Sequence, residues 1–232
     1  MLKKYTNQRE DVDANNEVKC MSEQMKLDKH NLSNDLLNKD KAAIKKKPYT
    51  LNSDKVEAET RAWLKKRGVT TDQIAELVLF LQHKYFPELT LDYCKYSVEQ
   101  VLLKREVQNA ILTGIQLDVL AEEGKLIPTL QEMVENDEGL YGVDEIVALS
   151  IVNVYGSIGF TNFGYVDKMK PGILERLNDK NSGEIHTFLD DIVGAIAAAA
   201  SSRIAHRKQA EREEDMVKMR ALQQAETDEV IN

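Results

Sequence analysis

Apolar side chains recur with a helical period through the middle of the chain. In the clearest stretch, every third or fourth residue is apolar: Ile74, Leu77, Val78, Leu81 and Tyr85. This spacing places them on one face of an α-helix. The preceding Thr70-Thr71-Asp72-Gln73 has the form of a capping box, and Pro87 follows the last apolar position. The pattern predicts a helix that begins after Thr70 and ends before Pro87.

Helix start and stop signals extend this prediction to both sides. Residues 53–66 predict a helix that Gly68 ends. A second capping box at Ser97-Val98-Glu99-Gln100 predicts the start of another helix. Gly114 is expected to interrupt that helix, and Gly124 to close the segment that follows.

The second half of the chain continues in the same way. Thr129-Leu130-Gln131-Glu132 predicts a short capped helix, and Lys170-Pro171 predicts a helix start with proline in the first turn. A glycine-rich break is expected over residues 156–164. No stretch alternates apolar and polar residues between turn signals, as a half-buried strand would. The sequence therefore predicts an all-α fold, as a single compact multi-helix domain.

Two acidic pairs each lead into an uncharged run. Asp190-Asp191 opens a stretch that carries no charge until Arg203 and includes four consecutive alanines. A helix that is apolar nearly all round is expected in a core. Asp144-Glu145 opens a similar run upstream. We expect both acidic pairs to lie where a helix enters buried surroundings.

Composition sets the domain organisation and excludes several classes of protein. The 232 residues carry a net charge of −8 and only 6% aromatic side chains, which argues against a nucleic-acid binder. We expect a disordered polar arm over residues 1–50, an all-α domain over 51–206 and a charged helical tail over 207–232. Polar residues interrupt the uncharged stretch 146–166, so a membrane span is not expected. We expect a cytoplasmic protein.

The acidic pairs suggest a chemistry if the two helix starts converge. Four close carboxylates repel one another unless a cation neutralises them, and hard oxygen ligands suit Mg²⁺, with Mn²⁺ as the alternative. Lys170 is a candidate phosphate contact. His186 lies one helical turn before Asp190. It is a candidate donor to a phosphate or leaving group, or else a turn-stabilising residue. The alternative for the acids is that they only cap helices.

A succession of motifs resembles the phosphatidylglycerophosphatase A family, in its soluble branch from Gram-positive bacteria. The motifs that carry the resemblance are, in order, Asp137-x-Gly139, Val143-Asp144-Glu145-Ile146-Val147, Asp167-x-x-Lys170-Pro171, Gly183 and Leu189-Asp190-Asp191-Ile192-Val193-Gly194. The resemblance implies Mg²⁺-dependent removal of the terminal phosphate from phosphatidylglycerophosphate. At the matching positions, the resemblance implies six metal ligands: Asp137, Asp144, Glu145, Asp167, Asp190 and Asp191. Four of these are also the expected catalytic acids: Asp144, Glu145, Asp190 and Asp191.

Several alternatives stay open on the sequence alone. The substrate is expected to be a phosphate-bearing lipid, met by peripheral contact with the inner face of the membrane, or else a small phosphate ester. A non-catalytic all-α binding or regulatory module is the main rival. An all-α nucleotide pyrophosphohydrolase ranks lower, because the compact acidic pattern of those enzymes is absent. Small residues from Gly194 to Ala200 suit close helix packing, and we expect a homo-oligomer.

Overall fold

A computed structural model describes residues 52–231 of the chain, with side chains to residue 224. The predicted arm over residues 1–50 lies outside this part. The described residues form nine α-helices and one 3₁₀ turn, with no strand, so the all-α prediction is confirmed. The helices are α1 Ser53–Lys66, α2 Thr71–Gln82, α3 Leu91–Leu102, α4 Arg105–Glu122, α5 Pro128–Asn136, α6 Val143–Val152, α7 Ser157–Met169, α8 Ile173–Leu177 and α9 Leu189–Ile231, and the 3₁₀ turn is Asn153–Tyr155.

The first part of α9 is the centre of the fold. Every residue from His186 to Ser202 is buried, as the uncharged run predicted. Helices α2, α3, α4, α6, α7 and α8 all pack against α9. Small alanine side chains allow several helices to lie close to one axis. The acidic pair Asp190-Asp191 therefore lies at the entrance of the most buried segment among the described residues.

Some predicted helix signals have the local structure expected of them. Helix α1 has the predicted bounds, and α2 begins directly after Thr70. The Thr70 hydroxyl accepts from the Gln73 backbone N–H at 3.3 Å, and the Gln73 side chain accepts from the Thr70 N–H at 2.9 Å. This reciprocal pair is the predicted capping box.

The second predicted capping box is wrong. Helix α3 begins at Leu91, with Thr90 as its cap, so Ser97 lies in the middle of the helix. The Ser97 hydroxyl is buried and donates to the Ala200 carbonyl of α9 at 3.0 Å. The four-residue signal also occurs inside helices, where a serine can bond to a neighbouring helix instead of its own first turn.

Two predicted glycine effects also need correction. Gly114 lies inside an unbroken α4. The interruption between helices comes earlier, at Leu103-Lys104, where α3 has ended and α4 has not yet begun. Of the glycines between residues 156 and 164, Gly156 has a positive φ of 76° at a helix boundary, whereas Gly159 and Gly164 are inside α7. Glycine disfavours a helix by only about 1 kcal/mol, which tertiary packing readily offsets.

Helix α9 continues far beyond the core. It runs without interruption to Ile231, and all residues over 209–224 are exposed. Within this stretch, the Arg212 guanidinium lies 5.6 Å from the centre of the Phe86 ring. None of the described helices is long and apolar enough to cross a membrane.

Candidate metal centre

The first acidic pair lies in the first turn of α6. Gly142 precedes the helix with a positive φ of 65°, a conformation that glycine adopts without strain. Asp144 then points into the core, with 5% of its surface exposed, and Glu145 is half-buried beside it. The local sequence therefore places one carboxylate inside the protein and one at its edge.

The second pair lies in the first turn of α9. Asp190 and Asp191 are both buried. The Asp190 side chain accepts from the Asp191 backbone N–H at 2.8 Å, and the Asp190 N–H donates to the His186 carbonyl at 3.1 Å. Asp190 is thus tied to its own helix turn, which leaves Asp191 to face α6.

Asp144, Glu145 and Asp191 converge. Each offers a carboxylate oxygen, and these three oxygens lie within 4.8 Å of one another. Oδ1 of Asp144 and Oε2 of Glu145 are buried and have no hydrogen-bond partner among the described residues. A buried carboxylate needs a partner, and a divalent cation with oxygen ligands supplies one. The donor set fits Mg²⁺ or Mn²⁺.

The pKa values of Asp144 and Asp191 also reflect the burial and the close approach of these carboxylates. Burial, followed by the hydrogen bond and the negative charge of Glu145, raises the pKa of Asp144 to about 7. Burial and then the charge of Asp190 raise the pKa of Asp191 to about 9. A cation that binds these acids must displace protons from them, so its affinity depends on pH.

Lys170 connects the pair on α9 to the end of α7. It follows α7 with a positive φ of 43°. Its Nζ lies 2.7 Å from Oδ2 of Asp190, 2.6 Å from Oδ1 of Asp167 and 3.5 Å from Oδ1 of Asp191. Burial opposes its charge, but the three carboxylates raise its pKa above the ordinary value. Lys170 is a positive charge held beside the candidate metal ligands.

The remaining two predicted site residues lie apart from the three converging acids. Asp137 follows α5 and lies 3.3 Å from Nζ of Lys180 in an ion pair. It lines a cavity of about 280 Å³ that His186 and Asp190 also line. The structure thus brings Asp137 and His186 to a neighbouring cavity, and their metal and phosphate roles stay predictions.

His186 is held between two charged partners. Its Nδ1 lies 3.0 Å from Nη2 of Arg67, and its Nε2 lies 3.2 Å from Oε2 of Glu184. Because the guanidinium can only donate, Nδ1 accepts and Nε2–H donates to Glu184. Burial, and then the charge of Arg67, lower the pKa of His186. The imidazole is therefore neutral near pH 7 and fixed in one tautomer.

Three residues that hold the segment before α9, Arg67, Asp118 and Glu122, were not predicted from the sequence. Arg67 is buried, and its two terminal nitrogens donate to the Glu122 carboxylate at 3.0 and 2.7 Å. Nη2 of Arg67 also donates to the Ile185 carbonyl at 2.6 Å. Asp118 is fully buried. The available signal was that Asp118 follows Ile111 and Ile115 at helical spacing, so a carboxylate falls on an apolar face.

Comparison with known proteins shows the family to which this fold belongs. A model of the family described as phosphatidylglycerophosphatase A matches residues 59–206. The uncharacterized protein YutG of Bacillus subtilis (strain 168) is 70% identical over 152 residues, covering 66% of this chain and 92% of its own. YpjQ of the same organism is 58% identical over 163 residues, covering 70% of this chain and 90% of its own.

A solved structure shows the same similarity. The crystal structure of low temperature requirement C protein from Listeria monocytogenes is 68% identical, with a TM-score of 0.66, covering 66% of this chain and 97% of its own. The fold and the buried carboxylates together define an all-α protein with a candidate oxygen-ligand metal site. The chain belongs to the phosphatidylglycerophosphatase A family, in the branch found in Gram-positive bacteria.

Proposed function

We propose that this protein is a Mg²⁺-dependent phosphatase that removes the terminal phosphate from phosphatidylglycerophosphate in phospholipid synthesis. The observation that carries the proposal is the convergence of Asp144, Glu145 and Asp191, with two buried oxygens that have no partner within the described chain. Membership of the family supports phosphate ester hydrolysis and a phosphate-bearing lipid as substrate. Mn²⁺ is the alternative metal.

Each group in the site has a distinct role in this proposal. Asp144, Glu145 and Asp191 hold the cation, which when bound polarises a phosphoryl oxygen and makes a water molecule more acidic. Lys170 presents a positive charge to the phosphate. Asp167 and Asp190 fix the position of Lys170 through contacts of 2.6 and 2.7 Å. Asp190 also takes the role of a metal ligand or water-orienting base if Lys170 turns toward the phosphate.

Other parts of the proposal concern partners and location. We expect peripheral contact with the inner face of the membrane, a cytoplasmic location and self-association. Hydrolysis of a small phosphate ester and a non-catalytic binding role remain the alternatives. The geometry supports the phosphatase over the binding module, because helix capping alone does not explain why acids from α6 and α9 face one another.

Metal binding and phosphate release test the proposal together. Calorimetric titration with Mg²⁺ is expected to show binding to the wild type and at least about tenfold weaker binding to Asp191→Asn. Even residues that only support a metal ligand change metal affinity by about tenfold or more, and a direct ligand is expected to matter at least as much. Phosphate release should be measured with phosphatidylglycerophosphate in mixed micelles and with glycerol 3-phosphate. Glu175→Gln, an exposed change on α8, is the matched control.

The outcomes separate the alternatives. Release from the lipid by the wild type, lost in Asp191→Asn and kept in Glu175→Gln, supports the proposal. Release from glycerol 3-phosphate alone indicates a phosphatase of soluble esters. Metal binding without release from either substrate contradicts catalysis and favours the regulatory module. Equal activity in wild type and Asp191→Asn removes Asp191 from the site.

A further inference from the structure

One side chain from α4 bonds to the first turn of α9. The carboxylate of Asp118 accepts from the backbone N–H of Phe188 at 3.0 Å through Oδ1, and from that of Leu189 at 3.0 Å through Oδ2. A helix start leaves its first N–H groups without partners inside the helix. They are usually satisfied by a nearby residue of the same segment. In α9 this partner comes from another helix, 70 and 71 positions earlier in the chain.

Close approach of the two helices makes this contact feasible. Gly114 lies one helical turn before Asp118, so both are on the same face of α4. A Cβ atom on Gly114 would lie 2.2 Å from Cδ1 of Ile192 and 3.0 Å from Cβ of Phe188. A larger residue would therefore require the Ile192 side chain to turn and Cβ of Phe188, at the start of α9, to give way by a few tenths of an ångström. The glycine explains how the short aspartate side chain reaches the backbone of α9.

A salt bridge close by supports the same segment. Arg67 pairs with Glu122, one turn after Asp118 on α4, and also donates to the Ile185 carbonyl. Glu122 accepts from the Ile185 N–H at 2.9 Å. The segment from Ile185 to Leu189 is thus bonded to α4 at several backbone groups.

We propose that Asp118, brought into reach by Gly114, is a positioning residue that sets where α9 begins and so aims Asp190 and Asp191 into the metal site. The inference rests on the proposed function. Asp191 lies two residues after the last N–H that Asp118 holds. Because each residue turns a helix by about 100°, a start displaced by one residue points the acids away from Asp144 and Lys170.

An isosteric change tests this role. Asp118→Asn keeps the shape of the side chain. The amide NH₂ group of asparagine can only donate, so one of the two backbone N–H groups loses its acceptor. We expect the Mg²⁺ dissociation constant to rise at least tenfold and kcat to fall at least tenfold, with KM for the phosphate ester changed less than twofold. Gly114→Ala retains the carboxylate but forces Ile192 and Phe188 to shift, and we expect the same changes in the Mg²⁺ dissociation constant and in kcat.

Two controls distinguish positioning from general stability. Val98→Ala removes buried atoms from α3 and lowers Tm, but it is expected to leave Mg²⁺ affinity and kcat of the folded protein unchanged. Glu123→Gln is an isosteric change at an exposed position of the same region. It is expected to change neither Tm nor Mg²⁺ affinity.

Hydrogen exchange at the amides of Phe188 to Asp191 completes the test independently of activity. Faster exchange in Asp118→Asn, together with weaker Mg²⁺ binding, supports the proposal. Wild-type Mg²⁺ affinity and exchange in Asp118→Asn overturn it, even where the wild type is an active phosphatase. A wild type that neither binds Mg²⁺ nor releases phosphate contradicts the proposed function and leaves Asp118 without ligands to position, which also overturns the inference.

Discussion

One lysine, Lys170, serves only part of the acidic cluster, which consists of Asp144, Glu145, Asp167, Asp190 and Asp191. Lys170 contacts three of these acids, at the termini of α7 and α9, but the structure shows no contact between it and Asp144 or Glu145. Removing one partner from a buried charge costs several kcal/mol, so uncompensated acids are kept only where something neutralises them. The raised pKa of Asp144 favours a proton on this acid in the metal-free protein, and a divalent cation neutralises the acids in the proposed function.

Stability of the metal-free protein is expected to fall as pH rises from about 5 to about 9. Asp144 and Asp191 have raised pKa values of about 7 and about 9 in the folded state. Unfolded aspartate has an ordinary pKa of about 3.9. The folded protein therefore binds more protons in this window, and the stability that they contribute is lost as pH rises. Thermal unfolding across this range in the presence of a chelator measures the effect.

The variant Asp191→Asn removes one of the titrating groups behind this pH dependence. Because asparagine does not titrate, its Tm profile is expected to be flatter than that of the wild type between about pH 5 and 9. Added Mg²⁺ should raise the wild-type Tm most at the alkaline end, where protons compete least. Parallel profiles for the two proteins would contradict the assigned pKa.

At the scale of elements, helix α2 illustrates a local signal that sufficed. The capping box at Thr70 and Gln73 needs only residues three apart, and the structure shows both of its hydrogen bonds. Helix α3 illustrates the opposite case. The serine in its predicted cap bonds instead to the Ala200 carbonyl, a partner 103 positions away, so no local pattern could reveal it.

Thr70→Ala is expected to destabilise the protein by about 1 kcal/mol, because an N-cap hydrogen bond is lost. For a domain of this size, such a loss lowers Tm by roughly 2–4 °C. Mg²⁺ affinity should not change. Thr113→Ala is the matched control, since its hydroxyl bonds only within α4, to the Asn109 carbonyl. Equal Tm values for Thr70→Ala and the wild type would show that the cap contributes nothing.

At the scale of the molecule, one long helix serves two different parts of the structure. The first turns of α9 carry the acids and the core alanines, whereas residues 209–224 are exposed. Burial of apolar surface provides most of the stability of a domain. The exposed part of α9 therefore adds little to the fold that positions the site.

Deleting residues 213–232 is expected to shift Tm by less than about 3 °C, equivalent to about 1 kcal/mol at this size. The deletion keeps Arg212, which lies over the Phe86 ring. Mg²⁺ affinity and phosphate release should stay within twofold of wild type. A further deletion from Arg203 onward removes the buried Ile204 and is expected to destabilise the protein strongly. Loss of activity already on deletion of residues 213–232 would assign the exposed helix a role in catalysis or substrate contact.

Local sequence patterns predicted the helical class, the starts of α1 and α2 and the burial of the first part of α9, because helical period, caps and uncharged runs act over a few residues. It also pointed to two acidic pairs as candidate ligands. Tertiary structure decided which of those acids meet: Asp144, Glu145 and Asp191 converge, while Asp190 bonds to Lys170. It also revealed Asp118, whose partners are backbone N–H groups that carry no sequence signal. Convergence depends on how α4, α6 and α9 pack together, and that packing is a property of the whole core.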